Sequence, residues 1–338
     1  MRQLGRVAGG VLAGCLVAGC SFLPGLNRVA QGEPTTPAAT ATPKPSASAP
    51  ALAAESVLED YIKRNNAANA ALSDELLAAY EGGSSLVIDK AAYLSQRKLG
   101  KDGDEYTPFR YVKPTFVAPA TKRWFLATVY WKGKSETAED PTFLVFARDG
   151  DAWRQVYAPD LFEALTAEDV PKLQVDATGA AVEVDQADAT GLLMSPAAFA
   201  RNYANHLMGK GSTATKSRFA ADVLTTNAAS NRIKMKRFAR LTEDVNPAKE
   251  YPSYALRAAD GGALVFTTLQ RTKLYDVIQG AGNYVFQKGN GLLPGKYYTY
   301  LKIGELLQVA AYIPPKTAKP AQARVIGSYN GIVAGRGR

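Results

Sequence analysis

Cysteine and histidine are nearly absent from this chain. Among its 338 residues there are two cysteines, Cys15 and Cys20, and a single histidine, His206. Because both cysteines lie near the N-terminus, the body of the chain has no internal disulfide and depends on the burial of apolar side chains for its stability. One histidine excludes multi-histidine metal sites and leaves only His206 for a histidine-dependent catalytic triad.

The N-terminal apolar segment is too short to cross a membrane as a helix. Residues 7–18 provide about a dozen apolar or small residues, whereas a spanning helix needs about twenty. The segment follows Arg2 and Arg6 and ends in Leu-Val-Ala-Gly-Cys at residues 16–20. This arrangement resembles the lipobox of bacterial lipoproteins, so we predict a signal peptide over residues 1–19 that is cleaved before Cys20.

The lipobox resemblance implies a lipid anchor on Cys20. Its thiol would carry acyl chains such as palmitate and hold the protein on the outer face of the plasma membrane. Residues 12–15 also fit the pattern, so Cys15 is the alternative site, although cleavage there would leave an apolar core of only about eight residues. Residues 20–53 are rich in Pro, Ala, Thr and Ser. They predict a disordered stalk with a reach of about 100 Å.

The net charge of +9 is unevenly distributed. Residues 51–190 carry about 15 Lys and Arg against about 23 Asp and Glu, whereas residues 191–338 carry about 21 against about 7. Two interpretations remain open. The acidic and basic halves attract and pack against each other, or the basic half binds an anionic partner such as a wall polymer or lipid headgroups. Nucleic acid is not predicted as a partner because the body lies outside the cell.

The order of predicted elements divides the body into two blocks, residues 54–190 and 191–338. Each begins with a helix and continues with strands, and Ser195 and Pro196 are typical of a helix N-cap and first turn. The first block has a helix over 55–72 and strands over 109–116, 123–131, 142–148 and 152–157. The second has a helix near 199–207, a helical segment over 217–224 and strands over 232–241, 254–258, 263–269, 297–302, 306–312 and 324–332.

A hairpin in the first block carries a family resemblance. Residues 143–157 form two strands around the turn Asp149-Gly150-Asp151, with Trp153 on the return strand. A helix followed by such an antiparallel sheet resembles the NTF2-like (cystatin-related) α+β roll. The resemblance implies an α+β fold with tandem NTF2-like domains. With the lipobox and the stalk, the whole chain resembles uncharacterised lipoproteins of actinobacteria, a likeness that says little about chemistry.

The chain offers no strong catalytic pattern. His206 is predicted to be a partly exposed helix residue, and the glycine-rich residues 289–296 lack the spacing of a phosphate-binding loop. Neighbouring carboxylates lie in polar loops, where we expect them to be solvated. These carboxylates are Asp102, Asp104, Glu105, Glu139, Asp140, Glu168 and Asp169. We therefore predict no catalytic residues, no metal site and no cofactor.

A basic segment is the best candidate for partner contact. In an extended chain, Arg232, Lys234 and Lys236 share one face, and Arg237 and Arg240 follow closely. We predict that these five residues contact an anionic partner. The strand over 123–131 is apolar on both faces, so its second face needs cover from the other block, a dimer partner or a ligand.

Two functional classes follow from these patterns. The first is a membrane-anchored, non-catalytic binding or scaffolding module whose partner is an envelope protein, an anionic wall polymer or lipid. The alternative is a small-ligand carrier or enzyme that uses an NTF2-like cavity. A cavity lined by apolar residues around a buried carboxylate or His206 favours the alternative class. Filled cavities with His206 outside them favour the binding module.

Overall fold

The structure is a computed structural model that describes residues 49–101, 106–132, 141–280 and 282–338. The predicted signal peptide, Cys15, Cys20 and most of the predicted stalk lie outside the described residues. The acidic residues at 102–105 and 139–140 lie outside them as well.

Six α-helices and twelve β-strands are formed by the described residues. The helices are α1 (Ala49–Ala71), α2 (Asp74–Ala78), α3 (Gly83–Lys98), α4 (Pro196–Leu207), α5 (Thr213–Lys216) and α6 (Val223–Met235), with a 3-10 turn at Ala167–Asp169. The strands in the N-terminal part are β1 (Arg110–Val117), β2 (Trp124–Lys132), β3 (Pro141–Asp149), β4 (Ala152–Tyr157) and β5 (Asp160–Leu161). Those in the C-terminal part are β6 (Ala239–Pro247), β7 (Tyr254–Arg257), β8 (Ala263–Val277), β9 (Val285–Phe286), β10 (Lys296–Tyr297), β11 (Tyr300–Ile313) and β12 (Arg324–Gly337).

Ten of these strands form one antiparallel sheet. Its main path runs β1-β2-β3-β5-β12-β11-β8-β6, with β4 added beside β3 and β7 beside β8. The short strand β5 joins the two parts of the chain, because Asp160 pairs with Thr142 of β3 and with Ser328 of β12. The strands β9 and β10 form a separate two-stranded ribbon.

Helices α1 to α3 cover one face of the N-terminal strands. Their core is aromatic: Tyr61 of α1 meets Phe146 edge to face at 5.4 Å, and Phe125 stacks on Phe146 at 4.9 Å. Such rings bury large apolar areas and provide the main stabilising term for a body without disulfides.

The opposite face of β2 and β3 packs against strands of the C-terminal part. Trp124, Leu126 and Phe143 share a buried cluster with Leu264 and Phe266 of β8. Because successive residues of a strand point to opposite faces, both faces of β2 are buried along most of its length. The second face of β2 is therefore covered by residues of the C-terminal part.

Helices α4 and α6 pack on the C-terminal strands. Phe199 and Tyr203 of α4 stack at 5.5 Å and join a cluster with Val265 and Val309. The Ser195 hydroxyl accepts a hydrogen bond from the backbone N–H of Ala198 at 3.3 Å, which confirms the predicted N-cap.

Most predicted elements of the N-terminal part are confirmed. These include α1, the strands β1 to β4 and the turn at Gly150, whose φ of +58° suits glycine. Helix α3 was missed, because its buried face contains Ser84, Ser85 and Asp89 in place of an apolar stripe. Helix α1 begins at Ala49, so the predicted stalk boundary at residue 53 falls inside a helix.

The predicted strand over 232–241 is wrong for its first part. Residues 232–235 end α6, and β6 begins only at Ala239. The helix is nucleated by a capping box in which Asp222 accepts from the backbone N–H of Thr225 at 2.9 Å. The predicted helical segment over 217–224 is also wrong in its bounds, because α5 ends at Lys216 and α6 starts at Val223.

The strands of the C-terminal part are longer than predicted. Strand β8 continues to Val277, and β11 replaces the two short strands predicted over 297–302 and 306–312. The α+β class with a large antiparallel sheet is confirmed. The tandem NTF2-like arrangement and the division at residue 190 stay predictions.

Candidate functional site

Two carboxyl groups are buried together where α3 meets the sheet. Glu81 lies in the turn before α3, and Asp89 follows two turns into that helix. Backbone hydrogen bonds from Gly82 to the Gln155 carbonyl (3.0 Å) and from Gln155 to the Tyr80 carbonyl (2.9 Å) fix this turn against β4. Gly83 then turns the chain into the helix with a φ of +56°.

The pKa values of Glu81 and Asp89 are both raised. Burial, and next the charge of Asp89, raise the pKa of Glu81 well above its usual range. Burial also raises the pKa of Asp89 to about 6, although hydrogen bonds with Tyr329 and Glu81 oppose the rise. Among the described residues no N–H or hydroxyl group reaches a Glu81 oxygen. A hydrogen bond between two carboxyl groups requires a proton on one of them, so we expect the pair to hold one proton.

Hydrogen bonds between neutral polar side chains connect the start of α3 to the sheet. The Gln308 amide donates to the Ser84 and Ser85 hydroxyls at 2.8 and 2.9 Å, and the Ser84 hydroxyl lies 2.8 Å from that of Thr268. These buried groups are therefore satisfied by partners more than 180 residues away in sequence. They account for a helix whose inner face is polar.

A pocket of about 280 Å³ lies beside this region, between α1 and the β3–β4 hairpin. Tyr61, Tyr80, Phe146 and Trp153 form its aromatic wall, and Arg64 lies at its polar side. Glu81 and Asp89 are not among its lining residues. Their charges nevertheless act on Tyr61 and Tyr80, for which burial is the largest cause of a raised pKa.

A second ionic cluster is buried between β8 and β11. Glu305 lies 2.8 Å from the Lys273 ammonium and also accepts from the Arg271 guanidinium. Burial acts to raise the pKa of Glu305, but the two positive charges outweigh it and hold that pKa at about 2. The charges of Arg271 and Lys273 are both paired with Glu305 inside the cluster. Such pairing is typical of a structural ion network.

The five basic residues predicted to contact a partner fall into two groups. Arg232 points inward: it pairs with Glu243 at 2.6 Å and donates to the Leu207 carbonyl at 3.1 Å. The other four, Lys234, Lys236, Arg237 and Arg240, are exposed. Arg240 is 83% exposed and lies 4.0 Å from Asp276, so its charge remains open to solvent. Their role in binding an anionic partner stays a prediction.

The exposed group belongs to a larger surface at one end of the sheet, which we name the basic end. It also carries exposed apolar side chains, with Ile233 67%, Tyr298 55%, Ile278 45% and Phe286 36% exposed. Its cations are Lys234, Lys236, Arg237, Arg240, Lys296 and Arg336. Large apolar side chains that are exposed in a group are typical of interaction surfaces.

Backbone pairing brings separate segments to the basic end. The Ile278 N–H donates to the Phe238 carbonyl at 2.9 Å, and the Val277 N–H donates to the Thr299 carbonyl at 2.8 Å. In the β9–β10 ribbon Lys296 pairs with Phe286. Sequence reasoning missed the segments after Asp276. One signal could have found them, since Glu305 is the only acidic residue that follows Asp276.

The other predicted features have local roles. His206 is partly exposed, as predicted, and stacks on Phe219 at 4.9 Å, while burial lowers its pKa. Asp169 caps the short turn with Thr166, accepting from its backbone N–H at 2.9 Å. Residues 289–295 form the loop before β10, and Lys296 begins that strand. Among the described residues no group of three potential metal ligands is found.

The fold and these surfaces define an α+β protein with a large antiparallel sheet, several helices and a basic end. Residues 47–337 match a family described as a domain of unknown function, DUF8094, and the chain belongs to that family. No solved structure matches the chain significantly.

Two relatives from Streptomyces coelicolor have the description that the N-terminal residues predict. The chain is 28% identical over 299 residues to the uncharacterized lipoprotein SCO2278, covering 84% of each chain. It is 28% identical over 279 residues to the uncharacterized lipoprotein SCO6871, covering 77% of this chain and 75% of the relative. Both support an uncharacterised actinobacterial lipoprotein. No helix within the described residues is long and apolar enough to cross a membrane.

Proposed function

We propose that this protein is a lipid-anchored, non-catalytic binding or scaffolding module of the cell envelope. Cys20 holds it on the outer face of the plasma membrane, and the folded body binds an anionic partner, which is an envelope protein, a wall polymer or lipid headgroups. The exposed cations Lys234, Lys236, Arg237 and Arg240 are the observation that carries this proposal. No nucleic acid partner is proposed.

The N-terminal residues and the relatives support the anchor. Residues 16–20 have the lipobox pattern, and both Streptomyces relatives are described as lipoproteins. The thiol of Cys20 is the group that such an anchor would use, with Cys15 as the alternative.

The arrangement of helices and strands supports two NTF2-like units, residues 54–190 and 191–338. In the first, α1 to α3 lie on one face of antiparallel strands, and α3 also packs on β12 of the second unit. In the second, α4 and α6 lie on one face of the C-terminal strands. An experimentally determined structure tests this directly, because each unit should superpose on an NTF2-like roll over its helix and sheet. A body in which neither unit superposes would contradict it.

Cell fractionation tests the anchor. In the native host, Cys20→Ala should release the protein from membranes washed at high salt, which removes proteins held by charge alone, whereas Cys15→Ser should leave it attached. Metabolic labelling with a fatty acid analogue should mark the wild type and the Cys15→Ser variant only. Labelling of Cys20→Ala would assign the anchor to Cys15.

Binding to purified cell envelopes tests the anionic partner. We expect retention of the unacylated Cys20→Ala protein to fall steeply as salt rises, because surface charges are screened. Replacing Lys234, Lys236 and Arg237 by Ala should weaken retention. The matched control replaces three exposed lysines elsewhere, Lys172, Lys249 and Lys316, by Ala. Equal retention of the two triple variants would overturn the proposal.

A small-ligand carrier or enzyme is the second candidate function. Its supporting observation is the aromatic pocket of about 280 Å³ beside the buried pair Glu81 and Asp89. A bound ligand stabilises the folded state by an amount that grows with the logarithm of its concentration over its Kd, so a small-molecule screen by thermal shift should find compounds that protect the wild type. A Trp153→Ala variant should lose that protection. Compounds that protect both proteins equally would not occupy this pocket.

A further inference from the structure

The basic end combines positive charge with exposed apolar side chains, and this combination favours a lipid surface over a soluble polymer as the partner. Cations alone would be enough to bind a hydrated anionic polymer. Exposed Ile233, Ile278 and Tyr298 gain nothing from a fully hydrated chain, but they gain favourable burial in the headgroup region of a bilayer. Tyrosine in particular is enriched at membrane–water interfaces.

A buried apolar cluster lies beneath the exposed side chains of the basic end. Met235, Val277, Val285 and Leu301 form a buried cluster directly below the exposed residues. The Tyr298 ring lies 5.9 Å from that of Tyr284, over which the Lys296 ammonium sits at 4.7 Å. The exposed apolar side chains and the cations therefore lie on the same packed scaffold. This surface is already folded before it meets a partner.

The segments that form the basic end contain very few acidic residues to offset its positive charge. Residues 231–242, 276–304 and 332–338 contain one acidic residue, Asp276. Its carboxylate lies 4.0 Å from Arg240 and offsets only that cation. The negative charge of an anionic leaflet attracts these cations when they lie within roughly 10 Å of its surface. At larger distances salt screens most of the attraction.

We infer that the basic end docks on the anionic phospholipid headgroups of the membrane to which the protein is tethered. This inference rests on the proposed function, because it names the anionic partner. The predicted stalk, with a reach of about 100 Å, lets the body turn this end toward the bilayer. The docked end then adds an electrostatic attachment to that of the acyl anchor.

Vesicle co-sedimentation of the unacylated Cys20→Ala protein, produced without its signal peptide, tests the docking. It should bind vesicles of phosphatidylglycerol mixed with phosphatidylcholine and ignore pure phosphatidylcholine. The triple variant Lys234→Ala, Lys236→Ala, Arg237→Ala should lose about tenfold or more in affinity, since each surface cation contributes to the attraction. The triple variant Lys172→Ala, Lys249→Ala, Lys316→Ala should bind like the parent.

A second set of variants separates a bilayer from a polymer. Ile233→Ser with Tyr298→Ser should weaken vesicle binding several-fold and leave binding to soluble polyphosphate unchanged. Leu76→Ser with Val175→Ser removes apolar groups elsewhere that are 45% and 53% exposed, and it is the matched control. Unchanged circular dichroism spectra and melting temperatures confirm that the variants are folded.

The outcomes distinguish the two proposals. Salt-sensitive binding to polyphosphate without binding to the anionic vesicles overturns the membrane inference and leaves the proposed function standing. Equal binding to anionic and neutral vesicles, or vesicle binding unaffected by Ile233→Ser with Tyr298→Ser, also overturns the inference. Binding to no vesicle, polymer or envelope preparation overturns both.

Discussion

The hydroxyl of Tyr329 donates a hydrogen bond to the buried carboxylate of Asp89. The two residues are 240 positions apart, so this contact fastens α3 of the N-terminal part to β12, the last strand. It also compensates the burial of Asp89, because a hydrogen bond to a carboxylate favours its charged form.

Tyr329→Phe should destabilise the protein by about 1–3 kcal/mol, because it leaves a buried acceptor without its donor. It should also raise the pKa of Asp89 further, since the hydrogen bond from Tyr329 lowers it. Urea denaturation at neutral pH measures the loss. Tyr298→Phe removes a hydroxyl from an exposed ring and should change the free energy of unfolding little. Equal effects of the two variants would contradict the role assigned to Tyr329.

Glu81→Gln should flatten the dependence of stability on pH. In the wild type the folded-state pKa values of Glu81 and Asp89 are raised, so the folded protein binds protons more tightly than the unfolded chain. That contribution is fully present below about pH 4 and is lost as pH rises through about 6 and beyond. Glutamine supplies a neutral donor to Asp89 and removes one titrating group.

The measurement is the free energy of unfolding between pH 4 and pH 8 for the wild type and Glu81→Gln. We expect the wild type to lose more stability over this range than the variant does, because the raised pKa of Glu81 no longer contributes in the variant. Glu59→Gln removes an exposed carboxylate and should retain the wild-type slope. A variant at Glu81 that retains this slope as well would show that the pair does not share a proton.

Glu305→Gln should be strongly destabilising, by about 3–5 kcal/mol, because it leaves Lys273 and Arg271 buried without their counter-ion. The folded-state pKa of Glu305 is lowered to about 2, so its stabilising contribution is present above about pH 4.5 and is lost as pH falls toward 2. Thermal unfolding of the wild type should therefore show acid destabilisation that the variant lacks.

A matched control for Glu305→Gln is Glu75→Gln, at an exposed position of α2. It should leave the melting temperature almost unchanged, because exposed carboxylates contribute little. If Glu305→Gln were equally mild, the buried ions would have to be solvated in the native protein.

Gly327→Ala should weaken the junction between the two parts of the sheet. A Cβ at this position would collide with the Asp160 carbonyl of β5, the strand that links β3 to β12. Overpacking of this kind typically costs about 1–3 kcal/mol. Gly304→Ala in the neighbouring strand is the control, because its new Cβ would meet only ordinary contacts, the nearest at 3.5 Å. Chemical denaturation of both variants compares the two sites.

Local patterns in the sequence determined the elements that depend on neighbours in the chain. The apolar repeat of α1, the hairpin around Gly150 and the cap at Ser195 were predicted because each needs only residues within about one or two turns. The uneven charge likewise follows from composition. The lipobox ending in Cys20 is a local pattern too, which is why it could be found without a structure.

Tertiary structure decided the features that join distant residues. The alternation of basic and apolar residues from Arg232 to Lys236 favoured a strand, but burial of Met235 and the pairing of Arg232 with Glu243 stabilise a helix there. Asp89 finds Tyr329 only after the sheet has formed, and the basic end is assembled from segments about 100 residues apart along the chain. Such contacts depend on how strands are ordered in the sheet, and no local periodicity encodes that order.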